Sequence, residues 1–120
     1  MATLVNILNT GGGKRSVVQA NGTNTIVVAG NNTVSNLTSN STEVVISAAI
    51  TKVVYTNDSA SYWTLARGAN NIGNYNGTGF IDYQALGLTL NSDAVANVVC
   101  TLAGGTNGTI IIEFTKVSHF

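Results

Sequence analysis

The residues able to do chemistry are few and scattered. The carboxylates are Glu43, Asp58, Asp82, Asp93 and Glu113, and they stand with one histidine, His119, and one cysteine, Cys100. General acid–base work needs a titratable group held within hydrogen-bond reach of its proton, and a metal needs ligands at characteristic spacings. No pair of these residues falls in such a motif. Asp82, close to Phe80 and Tyr83, has the setting of a buried acid or a sugar contact, but also that of a residue ending a strand. His119 lies one residue from the end of the chain, a poor place for a triad that needs rigid partners. Catalytic residues, cofactor ligands and metal ligands are therefore all expected to be missing.

Three further patterns invite a functional reading. Gly11-Gly12-Gly13-Lys14 resembles a phosphate loop, yet Arg15 stands where a Ser or Thr should meet magnesium and Leu8 where the first glycine belongs. Asn-X-Ser/Thr triplets begin at Asn21, Asn31, Asn36, Asn40, Asn57, Asn76 and Asn107. A chain so rich in Asn, Thr and Ser makes them by composition and by turn chemistry, and the N-terminus lacks the basic and apolar regions of a signal peptide. Tyr62, Trp63, Tyr75, Phe80 and Tyr83 cluster in one third of the chain. Exposed, Tyr62, Tyr75 and Tyr83 would make sugar-stacking faces; otherwise Trp63 and Phe80 fill a core and the tyrosines sit at its rim. Trp63 alternates in phase with Leu65, which favours the core.

Composition limits what must position these residues. The 120 residues suit one domain, 44% hydrophobic and only 8% charged, with zero formal net charge. The surface must then be largely Asn, Thr, Ser and Gly, which suits packing against other subunits better than free dispersion. No basic field is present to draw nucleic acid or anionic lipid, and no apolar run reaches the ~20 residues of a membrane span. Cys100 has no cysteine to pair with in the chain and is expected to act as a small core hydrophobe. Synthesis in a cytoplasm is expected.

The chain reads as strands around one stretch, Ala94–Val117. Ala96, Val98, Cys100 and Leu102 share a face, as do Ile110, Ile112 and Phe114. This period of two predicts a central hairpin closed by Gly104–Gly108. Val99 and Ile111 add apolar surface outside the core face. Upstream, Thr3–Leu8 is a short strand or an extended arm. Lys14–Ala20 and Thr25–Ala29 flank a hairpin turn at Asn21–Asn24. Thr33–Thr38 is another short strand, Glu43–Thr56 one bent strand or two, and Ser61–Arg67 alternates. Asn70–Tyr75 and Gly79–Tyr83 form a hairpin through Asn76–Thr78. Leu86–Leu90 is short and apolar, and Asn91–Ala94 can cap one helical turn. Eight to ten short strands predict an all-β antiparallel β-sandwich, jelly-roll-like.

Four runs carry a family resemblance: Tyr62–Gly68 (YWTLARG), Gly79–Tyr83 (GFIDY), Ala96–Val99 (ANVV) and Gly108–Lys116 (GTIIIEFTK). They resemble small β-rich virion structural proteins of tailed phages, especially phages of marine bacteria, over about the C-terminal half. The resemblance implies a non-enzymatic virion component such as a capsid decoration (cement) protein, with a tail or neck component also open. It implies as partners the major capsid protein or another virion protein and copies of itself, as a trimer. The alternative is a carbohydrate- or receptor-binding β-sandwich using the three tyrosines.

Leu4, Val5, Ile7, Leu8, Val99 and Ile111 are the candidate interface residues. Residues 1–13 are then either the first strand of the sandwich or an arm, freed by Gly11-Gly12-Gly13, that adds a strand to a neighbour's sheet edge. Residues 14–120 are the sandwich domain.

Overall fold

The computed structural model describes residues 3–9, 15–28, 44–58, 60–67, 70–83, 96–105 and 108–119. The expected strands at Thr33–Thr38 and Leu86–Leu90, the helical turn at Asn91–Ala94 and the glycines Gly11–Gly13 lie outside them. The described residues form nine strands and no helix: β1 (Thr3–Asn9), β2 (Arg15–Asn21), β3 (Asn24–Ile26), β4 (Val44–Asn57), β5 (Tyr62–Arg67), β6 (Asn70–Asn76), β7 (Gly79–Asp82), β8 (Val98–Ala103) and β9 (Gly108–His119).

They make two antiparallel sheets, one in the order β1-β2-β9-β4-β7 and the other β3-β8-β5-β6. With β1 set aside, two four-stranded sheets remain, and β2→β3, β4→β5, β6→β7 and β8→β9 each pass from one sheet to the other. That is a jelly roll. The core lies between the sheets. Val18, Ala20, Val45, Ala48, Ile50, Val53, Ile110, Ile112 and Phe114 from one sheet meet Ile26, Trp63, Leu65, Tyr75, Val98 and Cys100 from the other, together with Val28 just beyond β3.

Three expected hairpins are corrected. β8 and β9 are each central in a sheet, but in different sheets, and β2 with β3 and β6 with β7 are likewise split between sheets. Their tight turns are arches. Gly22, Gly77 and Gly104 carry φ of 105°, 72° and 78° within them, conformations that favour glycine. Of consecutive strands, only β1–β2 and β5–β6 pair. Thr3–Asn9 runs antiparallel to β2 at the sheet edge, with Leu4 opposite Ala20 and Leu8 opposite Val17.

β4 is one strand with two bulges, between Val45 and Ser47 and between Ile50 and Lys52. Each bulge inserts a residue and resets the in–out alternation. Val45, Ala48, Ile50 and Val53 therefore all face the core despite their uneven spacing. Phe114 lies opposite Ile50 and Ile112 opposite Val53, while Lys52 lies opposite Glu113 and Val54 opposite Ile111.

Candidate functional site

The second bulge builds the most distinctive surface of the molecule. Continued alternation from Ile50 would turn Lys52 inward. With Thr51 as the extra residue, Lys52 joins Glu113 on the outer face of the five-stranded sheet. Four charged side chains from four adjacent strands meet there. Arg15 Nε on β2 donates to Glu113 Oε2 on β9 at 2.6 Å. Thr51 Oγ1 donates to Glu113 Oε1 at 2.8 Å. Lys52 Nζ on β4 lies 3.8 Å from Glu113 Oε1 and 3.9 Å from Asp82 Oδ2 on β7.

Glu113 is the buried member, its side chain 9% exposed, whereas that of Arg15 is 55% exposed. Desolvating a carboxylate is costly unless its oxygens are paired, and here both are engaged. Such a carboxylate ties strands together; a general base would need a lone pair directed at a substrate. Asp82 ends β7, half-buried. Beside these charges runs an apolar rank, with Ile111 opposite Val54 and Val54 opposite Phe80. Arg15, Lys52 and Glu113 line a groove of about 190 Å³ with Val17, Val54, Phe80 and Ile111. Phe80, expected in the core, is 59% exposed there.

Sequence reasoning missed this grouping. Arg15, Lys52, Asp82 and Glu113 are far apart in the chain, and only the strand order, with the parity shift at Thr51, brings them together. The remaining acids divide. Asp58 Oδ1 accepts from the backbone amides of Ala60, at 3.1 Å, and Ser61, at 2.9 Å, so it shapes the β4–β5 arch. Asp93 lies outside the described residues, as does Glu43, and His119 is the last residue of β9, opposite Val44. No group of three or more His, Cys, Asp or Glu residues able to hold a metal exists among the described residues.

The three tyrosines do not form a stacking face. Tyr75 is only 3% exposed. Its ring lies 4.9 Å from that of Tyr55, tilted by 40°, and its hydroxyl shares a 2.8 Å hydrogen bond with that of Tyr83. Burial, then the bond to Tyr83, pushes the Tyr75 phenol well above its ordinary value. Gly73 and Gly79 leave room for this cluster: a Cβ at Gly73 would meet the Tyr75 ring, and one at Gly79 the Tyr55 ring. Tyr62 is exposed on the outer face of the four-stranded sheet, whereas Tyr75, on the neighbouring strand of that sheet, is turned inward opposite Trp63. Trp63 is fully buried, and its indole N–H reaches the Thr56 carbonyl at 3.3 Å. Cys100 is fully buried and free, and burial pushes its thiol up to about 12.

The interface residues also separate. Val99 and Ile111 are both half-buried, but β8 and β9 lie in opposite sheets, so the two sit on opposite sides of the sandwich. They cannot form one patch. Ile111 belongs to the apolar rank described above, and Leu4, Val5, Ile7 and Leu8 belong to edge strand β1. No helix among the described residues is long and apolar enough to cross a membrane. No protein-family model matches the chain, and no curated protein or solved structure matches it significantly.

Proposed function

We propose that this chain is a non-enzymatic virion structural protein of the capsid-decoration type, which binds and stabilises a capsid shell and associates with its own copies. The observation that carries the reading is the outer face of the five-stranded sheet. It is an apolar rank with exposed Phe80, beside charges paired among themselves, on a chain only 8% charged. A surface of that kind loses little on being covered, because its charges need not give up water to find partners. The jelly roll agrees with this use, being an architecture shared by viral capsid and lectin domains. The four runs that resemble phage virion proteins supply the particle; the fold alone does not assign one.

The test is quantitative mass spectrometry of purified particles from cultures in which the gene is expressed. A decoration protein appears at a fixed ratio to the major capsid protein. Particles stripped of it release their genome at a lower temperature, and adding back the purified chain restores the original temperature. Complete absence from purified particles would overturn the reading.

A further inference from the structure

We propose that the outer face of β2-β9-β4-β7 is the docking surface for a second copy of this chain, on a two-fold axis parallel to the strands between β9 and β4. The argument is the order of the charges and does not depend on the virion reading. Across the sheet, strand by strand, they run Arg15, Glu113, Lys52, Asp82, which is positive, negative, positive, negative. When two such faces meet about that axis, the order of one is reversed over the other. Glu113 then faces the partner's Lys52. Arg15 is rooted opposite Thr115, two residues along β2 from the row Val17, Glu113, Lys52, Asp82, so Asp82 lies over the partner's Val17 and meets the partner's Arg15 through the side chain that reaches back to Glu113. Every charge meets its opposite, which is the requirement of an isologous contact, in which one patch must complement itself.

The same rotation leaves position along the strand unchanged, so the apolar rank falls on the apolar rank. Ile111 faces the partner's Val54, and Phe80 reaches over the partner's Gln19. Three of the four charges are accessible to such a contact: the side chain of Arg15 is 55% exposed, that of Lys52 35% and that of Asp82 29%. Apolar contact supplies the affinity, and the charge order sets the register. Four strands at ~4.8 Å spacing give a face only ~19 Å wide, so the pair is concentration-dependent and belongs with the smaller interfaces. The proposed contact is between two copies, where the phage resemblance implies three.

The test is sedimentation of the full chain over a wide concentration range, with two single variants. Arg15→Glu, whose longer side chain can reach back along the strand as Arg15 does, puts carboxylates in opposition in its own dimer, and Asp82→Lys puts cations in opposition. Each variant alone is expected to sediment as a monomer of about the 12.4 kDa chain mass. Mixed in equal amounts, they are expected to form a dimer. The introduced carboxylate of one chain then meets the introduced ammonium of the other, and on the far side of the axis Arg15 meets Asp82 as in the parent. Phe80→Ser, at an exposed position that leaves folding intact, is expected to weaken the parent dimer at least tenfold. It serves as the readout if a charge variant fails to fold. A parent chain that is monomeric throughout, or trimeric, overturns the proposal. So do folded charge variants that associate like the parent, or a mixture of monomers that stays monomeric.

Discussion

At the scale of single residues, Trp63 and Tyr75 are large core side chains whose polar atoms are bonded. Trp63 is fully buried and its indole N–H is bonded, so truncation loses both packing and a hydrogen bond. Trp63→Ala is expected to cost about 3–5 kcal/mol in urea unfolding; a loss below about 1 kcal/mol would place the ring outside the core. Tyr75 and Cys100 make stability fall at alkaline pH. Both have folded-state values above their ordinary ones of 10.0 and 9.0, so the folded chain holds protons that the unfolded chain releases. Their contribution is complete below pH 9 and is lost progressively as pH rises from there. The melting temperature is expected to drop on raising the pH from 8 to 11, and Tyr75→Phe is expected to flatten the part of the drop above pH 10. An identical slope in the variant would show that Tyr75 contributes no linkage.

At the scale of elements, arches and bulges decide what could be read from the chain. The alternation of Val98, Cys100, Ile110, Ile112 and Phe114 locates the core face correctly, because an inward-facing strand has period two whichever sheet it joins. Turn chemistry is equally blind: Asn21-Gly22 or Asn76-Gly77 can close a hairpin or an arch. The expected hairpins therefore failed while the expected strands among the described residues survived. The ion cluster was hidden for a different reason, since Thr51 breaks the period and the partners come from four strands. Two predictions belong here. A Cβ at Gly104 would lie 2.4 Å from the Ala60 carbonyl oxygen at a φ of +78°, whereas at Gly77, with φ of +72°, it would meet nothing within 4 Å. Gly77→Ala is expected to cost only the left-handed penalty, about 1–2 kcal/mol, and Gly104→Ala distinctly more, because the β8–β9 arch must also shift; equal losses in urea unfolding would contradict the clash. The second concerns β1, which extends the sheet beyond the eight strands of the jelly roll. A chain starting at Lys14 is expected to fold, with a stability loss on the order of 2–4 kcal/mol for the lost ladder bonds at about 0.5–1.5 kcal/mol each. Failure to fold would make β1 part of the nucleus, and an unchanged melting temperature would show that β1 does not rest on its own sheet.

At the scale of the whole molecule, the topology sets how the fold is reached. β9 lies between β2 and β4, and β8 between β3 and β5, so the middle of each sheet is completed by the last part of the chain. Neither central strand has a sequence-adjacent partner, and loop-closure entropy must be overcome before either is stabilised. Refolding from urea is expected in the range of milliseconds to seconds, as for other β-sandwiches with non-local pairing. The chain contains no proline, so the phase of about 10–100 s that prolyl isomerisation adds to refolding is expected to be missing. A double-jump experiment checks this directly: the refolding amplitude should not depend on how long the chain was left unfolded. The low charge makes the slow closure consequential. Until β8 and β9 dock, strands β2, β4 and β5 expose pairing edges with few charges to keep chains apart. Refolding yield is therefore expected to fall as protein concentration rises while the rate of the productive phase stays constant. A rate that increased with concentration would instead place association of copies before the closing of the sandwich.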